Sequence, residues 1–180
     1  MKKGLLITSV VLAFAGSAFA QESAQSQGIT LRAGFAYPTD KDTRDTFRDY
    51  WFGVGLDYQI KNQSYNFGAK SYSLGLSADW YQATRRVSGV KLEGSALPVY
   101  LTLTSQGEGG IYYGAGLGAS FNRTRFSTSG GSATETTTKL AYAAFVGYQL
   151  PNQNITLDLR YHGNGTKELN ALGFYVGFKF

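Results

Sequence analysis

Few residues in this chain can do chemistry. It has a single histidine, His162, and no cysteine. Thiolate nucleophiles, thiolate metal sites and disulfides are therefore excluded together, and a metal on His162 would need carboxylates for all its other protein ligands. Glu168 follows nearby, so His162 and Glu168 form the acid–base pair to carry forward. Two charge groups stand beside it. The first is Arg32, Asp57, Asp79, Asp158, Arg160 and Lys179, each set among small or aromatic residues. The second is Asp40, Asp42, Asp45 and Asp49 interleaved with Lys41, Arg44 and Arg48. As a calcium loop this stretch lacks the turn glycine and the EF-hand spacing, so it reads as a solvated loop whose cations are available to lipopolysaccharide phosphates. Gly114, Gly116 and Gly118 mimic a dinucleotide-binding fragment but do not open a helix, and no cofactor or metal is expected.

The elements that must position these residues alternate with period two, the strand period. Eight segments show it. Their apolar faces run Leu31, Ala33, Phe35, Tyr37; then Phe52, Val54, Leu56, Tyr58; then Tyr72, Leu74, Leu76, Ala78, Trp80; and then Leu97, Val99, Leu101, Leu103. The later four begin at Ile111, Leu140, Ile155 and Leu172, and the last ends on Phe174, Val176, Phe178 and Phe180. The connections 38–49, 82–95 and 122–138 read as long loops, and 61–66, 105–110 and 150–154 as short turns. Short turns on one side and long loops on the other are the layout of an outer-membrane barrel with both termini in the periplasm.

A soluble, lipocalin-like periplasmic barrel would alternate too, so the opposite face decides. Glycine occupies positions 34, 53, 55, 75, 114, 116, 118, 147, 173 and 177 of it, with Tyr100, Tyr112, Phe145 and Tyr175 as bulky partners. Small residues among a few large ones suit the narrow interior of an eight-stranded barrel, whereas a water-washed exterior carries about 25–35% charge. The apolar face is therefore assigned to lipid. The first charge group then falls inside as three carboxylates against three cations, a network that fills the lumen and leaves no continuous aqueous channel. Tyr37, Phe52, Tyr58, Tyr72, Trp80, Phe121, Tyr148 and Tyr161 lie near strand ends, where aromatic girdles meet the two membrane interfaces.

Residues 1–20 have the layout of a secretory signal peptide: Lys2 and Lys3, an apolar run from Leu5 to Phe14, and an Ala18-Phe19-Ala20 end. The polar stretch 21–27 reads as a disordered leader and 28–180 as one barrel domain. Removing two lysines from seventeen cations against twelve acids leaves a net charge of +3, too mild to argue for nucleic acid.

The closing run Gly-Phe-Tyr-Val-Gly-Phe-Lys-Phe resembles the last strand of outer-membrane barrels, and the strand pattern over 28–180 resembles the small barrels of the OmpX and OmpA transmembrane type. The resemblance implies an eight-stranded antiparallel up-and-down transmembrane barrel in the cell outer membrane. It also implies that Phe174, Val176, Phe178 and Phe180 are read by the barrel-assembly machinery. The expected function is non-enzymatic, supporting envelope integrity or surface interaction through the outer loops, with outer-membrane lipid and lipopolysaccharide as surroundings and a monomer as the state. One competing reading is enzymatic. Arg160 to Asn164 is similar to the stretch before the last strand of barrel lipid A deacylases, where a nucleophilic serine follows the histidine by two residues and a glutamate comes later. Here Asn164 stands at the serine position, so the nucleophile is missing although Glu168 follows.

Overall fold

In the computed structural model, which describes residues 28–67, 70–165 and 167–180, the alternating segments become eight antiparallel strands joined edge to edge into a closed barrel. They are β1 (Ile29–Pro38), β2 (Trp51–Phe67), β3 (Lys70–Val87), β4 (Val90–Gln106), β5 (Ile111–Thr128), β6 (Gly131–Gln149), β7 (Ile155–Asn164) and β8 (Ala171–Lys179). Each strand pairs with its sequence neighbours, and β1 closes the ring on β8 from Thr30↔Lys179 to Pro38↔Ala171. The expected signal peptide and leader lie outside the described residues. Among the described residues no helix is long and apolar enough to cross a membrane.

Strand parity sorts the side chains. Leu31, Phe35, Phe52, Leu56, Leu76, Leu101, Leu117, Leu157, Phe174 and Val176 stand on the outer surface, while Arg32, Ala36, Trp51, Asp79, Tyr81, Tyr100 and Tyr175 are buried inside. Glycine makes room for the large inward rings: the ring of Tyr112 fills the space that a Cβ on its cross-strand partner Gly147 would take.

The lengths of the strands carry a correction. The connections read as long loops at 82–95 and 122–138 are mostly ladder. β3 and β4 stay paired up to Val87↔Val90, and β5 and β6 up to Thr128↔Gly131. The first of these hairpins turns on Ser88 and Gly89, at φ 48° and 82°, the positive values that a tight two-residue turn matching strand twist requires. Alternation fades there because both faces of a projecting hairpin meet water, while threonines 134, 136, 137 and 138 keep strand propensity. The result is an uneven rim, with β3 to β6 at 17–19 residues standing above β7, β8 and β1 at 9–10.

The connection 38–49 is a true outer loop, but it holds a short helix, α1 (Lys41–Thr46). Asp40 caps it by accepting from the backbone N–H of Thr43 at 2.8 Å and from the Thr43 hydroxyl at 2.9 Å. The Thr43 N–H first, and then its hydroxyl, hold the Asp40 carboxyl below the usual carboxylate range. Thr43 is itself buried, and its single hydroxyl proton is shared between Asp40 and the Glu168 carbonyl, 2.8 Å away, which ties the loop to the β7–β8 connection.

Candidate functional site

The lumen is layered, and each layer follows from the inward parity of facing strands. At its centre Arg32 from β1 and Arg160 from β7 meet Asp57 from β2, Asp79 from β3 and Asp158 from β7. Arg32 Nε lies 2.7 Å from Asp57 Oδ2 without the alignment of a hydrogen bond, and the aligned bond runs from Nη2 to Asp57 Oδ1 at 3.0 Å. Arg32 Nη2 is 2.9 Å from Asp79 and Nη1 is 3.8 Å from Asp158. Arg160 reaches Asp79 at 3.2 Å and both Asp57 and Asp158 at 3.4 Å, and it donates to Ser77 at 2.7 Å. Its guanidinium also lies 4.4 Å from the centre of the Phe145 ring. Lys179 does not join this cluster. It sits half-buried at the mouth nearer the chain termini, lining a cavity of about 100 Å³ with Thr30, Asp57, Gln59, Thr102 and Thr156. The described contact network therefore sets two cations against three carboxylates.

Above the charges lies His162, fully buried. Its Nδ1 shares a hydrogen bond with the Tyr100 hydroxyl and its Nε2 with the Tyr175 hydroxyl, both at 3.1 Å. A neutral imidazole offers one donor and one acceptor, so one tyrosine donates to the ring and the other accepts from it. Tyr81 packs on the ring at 5.3 Å. His162 makes none of its hydrogen bonds to Glu168, which is exposed in the turn Lys167–Leu169. Asn164 points inward and exchanges amide hydrogen bonds with Asn122, at 3.0 and 3.4 Å, and Ser120 donates to the same Asn122 at 2.7 Å. Among the described residues no serine hydroxyl is engaged by the imidazole, whose two nitrogens are held between tyrosines in a polar plug. Among the described residues no group of three or more His, Asp or Glu side chains is placed to hold a metal ion.

The loop end is closed by an apolar cap of Ala36, Trp51, Tyr81, Ala83, Ala96 and Ala171, with Phe47 and Leu169 packed against it. Trp51 Nε1 donates to the Arg48 carbonyl at 3.1 Å and the Tyr81 hydroxyl to the Leu169 carbonyl at 3.2 Å, so both large rings have their polar atoms satisfied. Sequence reading missed this cap. Parity could have found it, since Trp51 lies two residues before the inward Gly53, and Tyr81 two after the inward Asp79.

On the outside, Tyr37, Phe52, Tyr58, Tyr72, Trp80, Phe121, Tyr148 and Tyr161 all stand on the outward parity of their strands. Phe174 and Val176 are exposed there, Phe178 and Phe180 stack edge-on at 4.9 Å, and the Phe180 N–H donates to the Ile29 carbonyl at 2.8 Å.

The projecting sheet has two edges. That of β3 beyond Gln82 lies beside the α1 loop, where the Arg85 guanidinium contacts the Asp45 carbonyl. That of β6 is bare: its pairing with β7 begins at Ala141↔Asn164, so Gly131 to Lys139 pairs with β5 on one side and with nothing on the other among the described residues. All of these residues are exposed except Thr137, which is intermediate.

Comparison with known proteins adds the family. The family model described as outer membrane protein beta-barrel domain matches residues 6–180. The crystal structure of Ail, the attachment invasion locus protein of Yersinia pestis, is similar at a TM-score of 0.55 and 19% identity, covering 86% of this chain and 99% of that one. The backbone structure of Ail in a phospholipid bilayer nanodisc is similar at 0.53 and 17%, covering 87% and 100%. The crystal structure of Neisserial surface protein A is similar at 0.55 and 15%, again covering 87% and 100%. Comparison with curated proteins finds no match. Identities this low speak for the fold alone, but the family match spans nearly the whole length. With its apolar side chains outward and its polar ones sealed within, the chain belongs to the outer membrane protein beta-barrel family and resides in the cell outer membrane.

Proposed function

We propose that this barrel is a non-enzymatic surface-interaction protein that holds an extended segment of a partner protein along the outer edge of β6. The observation that carries the reading is the unpaired ladder from Gly131 to Lys139. An exposed strand edge is a template for strand addition, in which backbone hydrogen bonds supply affinity and alternate side chains supply selectivity. The edge of β3 is guarded by the α1 loop and the edge of β6 is not. The packed lumen and the absence of a serine at His162 support a role outside catalysis. In this reading the chain is a monomer with its loop end outside the cell and its termini in the periplasm. Phe174, Val176, Phe178 and Phe180 serve the assembly machinery. The similar barrels, an attachment invasion locus protein and a surface protein, carry names of the same class.

The test uses cells displaying the full chain and a peptide library in extended conformation, with Glu135→Pro and Thr136→Pro as variants. Neighbouring strand residues direct their N–H groups to opposite sides, so one of the two prolines blocks the bare edge without touching the β5 ladder. That variant is expected to lose peptide binding while keeping the heat-dependent gel shift of a folded barrel. Undiminished binding by both folded variants refutes the reading.

A further inference from the structure

The cavity at the termini end of the lumen carries charges of opposite sign at its two ends. Asp57 forms the inner end. Asp79 and Asp158 have fully buried side chains, whereas that of Asp57 is 30% exposed and is the carboxylate of the cluster that lines the cavity. Both guanidiniums of the cluster reach all three carboxylates, so one negative charge stays in excess and Asp57 is where it meets open space. Lys179 forms the outer end. Among the described residues its ammonium makes no hydrogen bond or ion pair.

The register sets the span between the two ends. Thr30 on β1 faces Asp57 on β2 and Lys179 on β8, so two ladder spacings separate their backbones, roughly 10 Å around the wall. The facing wall supplies a third polar group. Thr102 is 5% exposed, and its hydroxyl lies 2.9 Å from where a Cβ on Gly75 would stand, in the same cavity. Among the described residues that hydroxyl makes no hydrogen bond. A buried hydroxyl without a partner is costly, and a ligand that bonds to it removes the cost.

These groups select the chemistry of an occupant. The volume of about 100 Å³ is well below the roughly 300–1,000 Å³ of a pocket for a drug-sized ligand, so the occupant has few non-hydrogen atoms. A lone cation would leave Lys179 unmet, and a lone anion would leave the excess charge at Asp57 unmet. We propose that this cavity binds a free α-amino acid with a short side chain, as its zwitterion. The ligand's ammonium meets Asp57 and its carboxylate meets the Lys179 ammonium. The Thr102 hydroxyl, which can donate or accept, bonds to the ligand between them. A zwitterionic phospholipid headgroup carries the same pair of charges, but its acyl chains hold it at the outer wall of the barrel.

The full chain, refolded in an uncharged maltoside detergent, is titrated with isotope-labelled glycine, and binding is read from ligand relaxation in nuclear magnetic resonance. Methylammonium and acetate are the comparison probes, each carrying one end of the zwitterion. Glycine is expected to bind with a Kd of about 1 mM, as suits so small a ligand, and each half-probe about tenfold or more weakly. K179M and D57N should each weaken glycine binding by about tenfold or more, the range for losing a charge-assisted hydrogen bond, and T102V by about threefold. K179R, which keeps the charge, should retain most of the binding, and K167M, which removes a lysine at the opposite end of the barrel, should leave it unaltered. The heat-dependent gel shift verifies folding in each case, and K179M carries the test if D57N does not fold. Glycine that shows no saturable binding by ~10 mM overturns the proposal. So does equal glycine binding by the parent and K179M, an equal loss in K167M, or a parental affinity for methylammonium or acetate equal to that for glycine.

Discussion

Replacing Arg160 with methionine should cost more stability than any other single change in the lumen, and a second change should give part of it back. Arg160 faces carboxylates at 3.2, 3.4 and 3.4 Å. At an effective dielectric of about 20, each contact contributes about 5 kcal/mol of attraction before desolvation is subtracted. Desolvation of the buried ions offsets most of that sum, and removing one partner of such a cluster typically costs about 3–5 kcal/mol because the remaining charges are left uncompensated. The native network sets two guanidiniums against three carboxylates. R160M leaves one against three. Asp79→Asn leaves two against two and keeps the shape of the side chain, so its cost is limited to weakened hydrogen bonds, about 1–3 kcal/mol. The double variant has one against two, the same imbalance as the native protein. D79N placed on R160M should therefore recover about 1–2 kcal/mol where alone it costs about 1–3, a coupling of about 2–5 kcal/mol whose lower part is the size seen between contacting residues. The measurement is reversible urea unfolding of barrels refolded in bilayer vesicles, followed by fluorescence of Trp51 and Trp80. A cost below about 1 kcal/mol for R160M would show that the charges are not held as described. Full additivity in the double variant would show that Asp79 and Arg160 do not sense each other.

Three further outcomes follow from other parts of the molecule. Gly147→Val should destabilise the barrel by about 1–3 kcal/mol in the same unfolding assay, because the Tyr112 ring already occupies the site of the new side chain. Glu168→Gln and His162→Phe should leave the mass spectrum of lipid A from expressing cells identical to that of the parent, and any deacylated species lost in either variant would restore the enzyme reading. The Asp40 carboxylate is held below its unfolded value of about 4, so the stability it adds to α1 is present above that pH and is lost as pH falls through the lower folded value. Followed by nuclear magnetic resonance, the Thr43 amide should stay in place from neutrality to about pH 4 and shift only below it, and Thr43→Val should move the midpoint up.

The faces of the barrel were legible in the sequence because a strand with lipid on one side and packed lumen on the other must alternate. Arg32, Asp57, Asp79, Asp158 and Arg160 could be placed inside by counting in twos, and the structure brings these five into contact. Lys179 obeys the same parity, yet its height on β8 sets it at the mouth, and height is a property of barrel stagger that parity does not carry. The neutral layer of Ser120, Asn122 and Asn164 left no charge signature. The projecting hairpins were read as loops because alternation reports a difference between two solvents, and above the membrane both faces have the same one. One partner of His162, Tyr175, comes from the neighbouring β8, but the other, Tyr100, comes from β4, remote in sequence, so its role as a bridge between two tyrosines needed the closed ring.

The ladder pairing of the β5–β6 hairpin fixes how far it reaches. The nine residues from Gly131 to Lys139 rise at roughly 3.4 Å each along strands tilted by about 40°, which places the tip on the order of 25 Å above the point where β7 stops. A hydrogen-bonded arm keeps that height, whereas a loop of the same length would sample every height beneath it. Its length is also quantised. Adding two residues to each strand lifts the tip by about 5 Å with every side chain on its original face, and adding one turns the whole arm over.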